Sequence, residues 1–158
     1  MLFRSSVGSP APAIKVAKWI KGSEVKGFEK GKTYVVEFWA TWCGPCRKAI
    51  PHVIELAKQY KDKVTFVGVS VWENDETYLD SVQKFVDKMG EKMEYNVAAD
   101  DKFGNEGTMA RTWMQAAPAQ GGRAEQVFEG VQPSGPHCAL SLARIARAAI
   151  PALCNEVT

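Results

Sequence analysis

At 158 residues the chain is long enough for one domain with a sizeable core and too short for several. Charged residues make up 24% and hydrophobic ones 46%, ordinary for a globular chain, and a net charge of +2 without a basic cluster argues for no nucleic-acid or membrane-surface partner. No stretch approaches about 18 uncharged apolar residues, so no membrane-spanning helix is expected, and Met1 to Gly8 is too short and polar for a signal peptide, which read literally makes the protein cytoplasmic.

Gly8 to Ala13, with Pro10 and Pro12, reads as an extended lead-in, because each proline biases its predecessor away from the helical region. Ile14 to Ile20 alternates apolar and basic side chains, as a half-buried strand does, and Gly22, Gly27 and Gly31 break the next stretch into turns. Val35 to Ala40 is an apolar, aromatic and β-branched run of strand length. It leads through Thr41 and Trp42 into Cys43-Gly44-Pro45-Cys46, and a helical pattern begins there without an intervening loop. Arg47 to Tyr60 carries Ile50, Val53, Ile54, Ala57 and Tyr60 at helical spacing, with Lys48, Glu55 and Lys58 on the other side.

Val64 to Val71 is a second buried strand, and a strand, a helix and a strand in parallel imply a right-handed crossover. Trp72 to Glu76 reads as a polar turn. Thr77 to Met89 is a helix with Leu79, Val82, Phe85, Val86 and Met89 on a core-facing stripe, and Tyr95 to Ala99 is a short strand. Asp100 and Asp101 are expected in a solvated turn rather than a metal site, and Thr108 to Ala117 is again helical.

The chemistry is concentrated at the cysteine pair. With Cys43 at or just before a helix start, Cys46 lies three residues on, near the same face, so the sulfurs can reach bonding distance without backbone movement. The unpaired N–H groups and the positive end of the helix dipole favour thiolate at Cys43, the species that attacks disulfides. Pro45 has no N–H to leave unpaired there and a φ suited to an early helical position. Glu37 stands inside the apolar run, where burial should raise its pKa and let it take a proton from Cys46; the alternative is an edge strand on which it faces solvent. A zinc site would need a second pair or a cluster, and His52, His137, Cys138 and Cys154 are scattered, so neither metal nor cofactor is expected.

The segment Glu37 to Cys46 resembles the active-site segment of thioredoxins, and Pro51 matches the proline of their active-site helix. Gly8 to Pro12 and Phe66 to Val71 resemble the redoxin branch, the thiol-disulfide reductases of the TlpA and ResA type. The resemblance covers residues 8–115. It implies a single α/β domain with a thioredoxin-like fold, a central mixed sheet flanked by helices and preceded by a short hairpin. It also implies an enzyme in which Cys43 attacks a protein disulfide and Cys46 resolves the mixed disulfide with help from Glu37, while Trp42, Gly44, Pro45 and Pro51 support the site. The Gly-Pro dipeptide resembles that of thioredoxin, whose potential of about −270 mV belongs to a reductant. The partners expected are protein disulfides and an upstream thiol reductant, acting on a monomer; relatives of this type are often exported or anchored outside the cytoplasmic membrane.

Residues 116–158 depart from that pattern. All lysines lie at or before Lys102, and Phe128 is the only aromatic after Trp113. The resemblance implies a cis-proline step facing the dithiol and a strand after it; Pro118 stands near the expected distance, but no apolar strand follows it, so the C-terminal strand pair is read as atypical or missing. Three readings compete: divergence with Gln126 to Val131 as a replacement strand, a slipped reading frame, or a different terminal module. Leu140 to Leu153 is expected to form an amphipathic terminal helix, and Cys138 and Cys154 are read as spare thiols. If the proline loop is truly absent, the alternative is a non-catalytic or weakly active thioredoxin-like binding module that keeps its dithiol.

Overall fold

Residues 33–39 are β-branched or aromatic in all but one position, and they form the strand from which the site is built. The computed structural model describes residues 11–29, 32–114 and 143–147. Its elements are β1 (Val16–Lys21), β2 (Thr33–Trp39), α1 (Gly44–Gln59), β3 (Val64–Ser70), α2 (Tyr78–Met89), β4 (Asn96–Asp100), a π-helical turn (Ala110–Met114) and β5 (Ala143–Arg147). The strands lie in the order β1-β4-β3-β2-β5. β2, β3 and β4 run parallel, with Thr33 opposite Val64 and Glu37 opposite Gly68; β1 and β5 are antiparallel on the outside.

The alternation of β2 sends its side chains to two cores. Trp39 joins Cys46, Ile50, Val53, Ile54 and Ala57 of α1 and Tyr78, Val82 and Val86 of α2. Val36 and Phe38 face the other way, onto Met109, Ala110 and Trp113, with Ile14, Trp19 and Phe28 at the margin. Each large apolar side chain so buried contributes about 1.5–3 kcal/mol. α1 ends where the Tyr60 N–H closes on Leu56 O at 2.9 Å, and α2 ends at Gly90, whose φ of +57° suits glycine.

Four sequence expectations need correction. The short hairpin expected ahead of the core is not found among the described residues: β1 pairs with β4, and Gly22 at φ +79° presses against Asn96, which a Cβ there would strike. Asp100 is not in a solvated turn. It is buried, and its carboxylate accepts the backbone N–H groups of Asp101, Met109 and Ala110 at 2.8–2.9 Å, so it caps the helical turn that covers the second core. Trp72 to Glu76 is not simply polar, because Glu73 is buried. Residues 143–147, expected within a terminal helix, form β5 instead: the outer edge of β2 offers a row of backbone partners, and that pairing overrides the helical spacing. Pro118, Gln126 to Val131, Cys138 and Cys154 lie outside the described residues.

Candidate active site

β2 ends at Trp39, and three residues carry the chain from there to Cys43 at the N-cap of α1. The Cys43 N–H donates to Ala40 O at 3.1 Å, and its carbonyl accepts from Arg47 N at 3.1 Å, the first bond of the helix. The sulfur itself caps the helix, accepting from Cys46 N at 3.3 Å. Pro45 occupies the first turn, and no acidic residue there opposes the positive end of the dipole.

Cys43 and Cys46 are joined in a disulfide, with Cα atoms 5.3 Å apart. Their environments differ. Cys46 is 3% exposed and faces the core, whereas Cys43 is half-buried beside Trp42, which is 54% exposed. An incoming group meets Cys43 first. Gly44, the next residue, has open space above it: among the described residues nothing lies within 4 Å of where its Cβ would be. Pro51 lies inside α1, on its exposed side, where its missing N–H leaves a carbonyl of the preceding turn free.

Glu37 lies on the same face of β2 as Trp39, the face that carries Cys46, and β2 has a partner strand on either side of it. It is 1% exposed, which rules out the solvent-facing edge. Burial pushes its pKa up to about 7, and the Tyr95 phenol, donating to Oε2 at 3.1 Å, works in the opposite direction. Oε1 and the indole Nε1 of Trp39 are buried with no protein partner among the described residues. The phenol of Tyr95 is itself pushed up, first by burial and then by the Glu37 charge, so it stays a donor.

Gly68, opposite Glu37 in β3, makes this contact sterically feasible. A Cβ there would come within 2.8 Å of the Tyr95 ring, 3.3 Å of Trp39 Nε1 and 3.5 Å of Glu37 Oε2. Sequence reasoning missed both Gly68 and Tyr95. A glycine inside a strand pattern does signal close approach, but nothing local joins Tyr95 to a residue 58 positions away.

The loop before Cys43 has its own anchor. Glu73 accepts from Thr41 N at 2.8 Å, from Thr41 Oγ1 at 2.6 Å and from Ser70 Oγ. Trp42 Nε1 donates to Trp72 O at 2.8 Å. The structure thus brings Glu37, Trp42, Cys43, Gly44, Pro45 and Cys46 to one end of β2 and the start of α1, with Pro51 in mid-helix. Among the described residues, no three His, Cys, Asp or Glu side chains could together hold a metal ion, and no helix is long and apolar enough to cross a membrane.

The family model and the curated relatives point the same way. Residues 22–86 match the thioredoxin family model. Protein FixW of Rhizobium leguminosarum is 34% identical over 113 residues, 71% of this chain and 51% of that protein. The thiol-disulfide oxidoreductase ResA of Bacillus anthracis is 34% identical over 98 residues, 61% of this chain and 53% of its own. Among solved structures, a thiol:disulfide interchange protein of Chlorobium tepidum is 34% identical with a TM-score of 0.44, covering 58% of this chain and 59% of that one. The chain spans about half the length of the curated relatives it matches. With the Cys-x-x-Cys pair capping the helix after a central parallel strand, residues 22–86 are similar to the thioredoxin family, and the fold around them is thioredoxin-like.

Proposed function

We propose that the protein is a thiol-disulfide oxidoreductase that reduces protein disulfides through Cys43 and Cys46. The observation that carries this reading is the unequal exposure of two joined sulfurs at a helix N-terminus: Cys43 accessible, Cys46 buried. In the reduced protein the Cys43 thiolate attacks one sulfur of the substrate disulfide; a Cys43–substrate bond forms, the substrate S–S bond breaks, and the departing thiolate takes a proton from water. Cys46 then gives its proton to the Glu37 carboxylate and attacks the Cys43 sulfur. The protein disulfide forms, and the second substrate thiol leaves as thiolate. Two electrons have passed to the substrate, and an upstream dithiol restores the pair. A carboxyl group near pKa 7 is suited to accept and release that proton at neutral pH. The same cycle runs in either compartment, which sets only whether the resting pair is disulfide or dithiol.

The test is insulin reduction driven by dithiothreitol, together with the glutathione redox equilibrium of the pair. Turnover that vanishes in Cys43→Ser, and a trapped mixed disulfide in Cys46→Ser, are expected. An intact, titratable Cys43 without turnover would overturn the enzyme reading in favour of a binding module that keeps its dithiol.

A further inference from the structure

We propose that Glu73, on the connection after β3, is a positioning residue that holds the loop before Cys43 and thereby sets the redox equilibrium of the dithiol. The proposal rests on the oxidoreductase reading of Cys43 and Cys46. It starts from an observation that reading does not use: a carboxylate only 3% exposed, on a polar stretch, turns both oxygens to one residue of a distant loop. Oε1 takes the Thr41 N–H and the Ser70 hydroxyl, and Oε2 takes the Thr41 hydroxyl. The Glu73 carbonyl accepts from Gly104 N at 2.8 Å, which ties the same residue to the loop after β4.

The neighbouring residue grips the next position of the active-site loop. Trp72 is the only non-glycine residue with positive φ among those described, at +56°, a conformation that large side chains rarely adopt. In that conformation its carbonyl accepts the indole N–H of Trp42. Two successive residues of one connection therefore hold the two residues that precede Cys43. A strained backbone kept where it orients a reactive loop is the pattern expected of a functional constraint.

The consequence differs between the two redox states. In the oxidised protein the Cys43–Cys46 bond itself fixes Cys43 over the start of α1. In the reduced protein that bond is gone, and the loop's position depends on Glu73 and Trp72. Loss of the Glu73 contacts therefore weakens the reduced state more than the oxidised one and shifts the equilibrium toward disulfide. A residue that merely supports the fold would weaken both states equally and leave the equilibrium where it was.

The experiment measures the equilibrium constant of the full chain with glutathione, read by tryptophan fluorescence, in wild type, Glu73→Gln, Thr41→Val and Thr41→Ser. Thr41→Val removes one hydroxyl at a partly exposed site and keeps the backbone bond, so it stands in if Glu73→Gln fails to fold. The expected result is a shift of about tenfold toward disulfide in Glu73→Gln, about 30 mV more reducing, a smaller shift of the same sign in Thr41→Val, and none in Thr41→Ser, which keeps the hydroxyl. The double variant Glu73→Gln with Thr41→Val should fall short of the sum, since both remove one contact. Constants within twofold of wild type in both single variants, or a shift toward dithiol, would overturn the proposal. If wild type itself gave no two-electron transition, the oxidoreductase reading would fail instead.

Discussion

Two carboxylates of one sheet are both buried, and they serve opposite ends. Asp100 closes β4 with three backbone N–H donors on its side chain, whereas Glu37 in β2 has one phenol and an oxygen with no protein partner among the described residues. Burial raises the pKa of both; at Asp100 the N–H groups of Ala110, Met109 and Asp101 oppose it, and at Glu37 only Tyr95 does. The number and kind of donors, rather than burial, separate a structural cap from a group able to exchange a proton.

Removing the cap is the strongest way to break this comparison. Asp100→Ala strands two buried N–H groups, those of Met109 and Ala110, and one partly buried one, each worth about 1–3 kcal/mol when unpaired, and should lower stability in urea by about 4 kcal/mol while leaving the glutathione equilibrium of the dithiol near wild type. A comparable change in that equilibrium would show that the two regions are not separate.

The pH dependence of stability comes next. Glu37 binds its proton more tightly in the folded chain, its pKa rising from an ordinary 4.5 to about 7. Between those values the folded protein holds a proton that the unfolded one lacks. This contribution is complete below about pH 4.5 and is lost as pH rises through 7, roughly 3 kcal/mol in all. Urea titrations of the oxidised protein, whose Cys43 and Cys46 do not ionise, should show a clearly steeper decline in wild type than in Glu37→Gln; parallel curves would contradict the assignment.

The same variant sharpens the kinetic side. Glu37→Gln keeps the shape but cannot accept the Cys46 proton, so release of a mixed disulfide should slow by about a hundredfold at neutral pH and lose its inflection near 7. Single-turnover quenching reads this directly, and an unchanged rate would remove Glu37 from the cycle. The smallest effect is expected from Tyr95→Phe, which deletes the one donor that favours the charged carboxylate. The inflection should move up by about one unit, and no further, since one such bond is worth about 1.5 kcal/mol.

Much of this was legible in the chain. The β-branched run into Cys43, the three-residue spacing of the cysteines and the helical stripe of Ile50, Val53, Ile54 and Ala57 are local patterns, and β2 and α1 formed where those patterns lie. Val82 and Val86 likewise sit buried on the stripe expected of α2. Polar residues and sheet edges were harder to read. Asp100 and Glu73 look solvated in sequence because acidic residues in turns usually are, and their donors arrive from nine, ten and thirty-two positions away. Residues 143–147 carry no strand alternation of their own, and the open edge of β2 made them a strand.

The sequence by itself determined β2, α1, β3 and α2, where the dithiol stands on them and that Glu37 would be expensive to bury, because periodicity and capping act between near neighbours. Only the tertiary structure decided that Tyr95 and Gly68 surround Glu37, that Glu73 and Trp72 hold the loop before Cys43, and that Asp100 is a cap. A buried polar group takes its partners from whichever strand or loop the sheet order sets beside it, and that order is a property of the whole fold rather than of any stretch of chain.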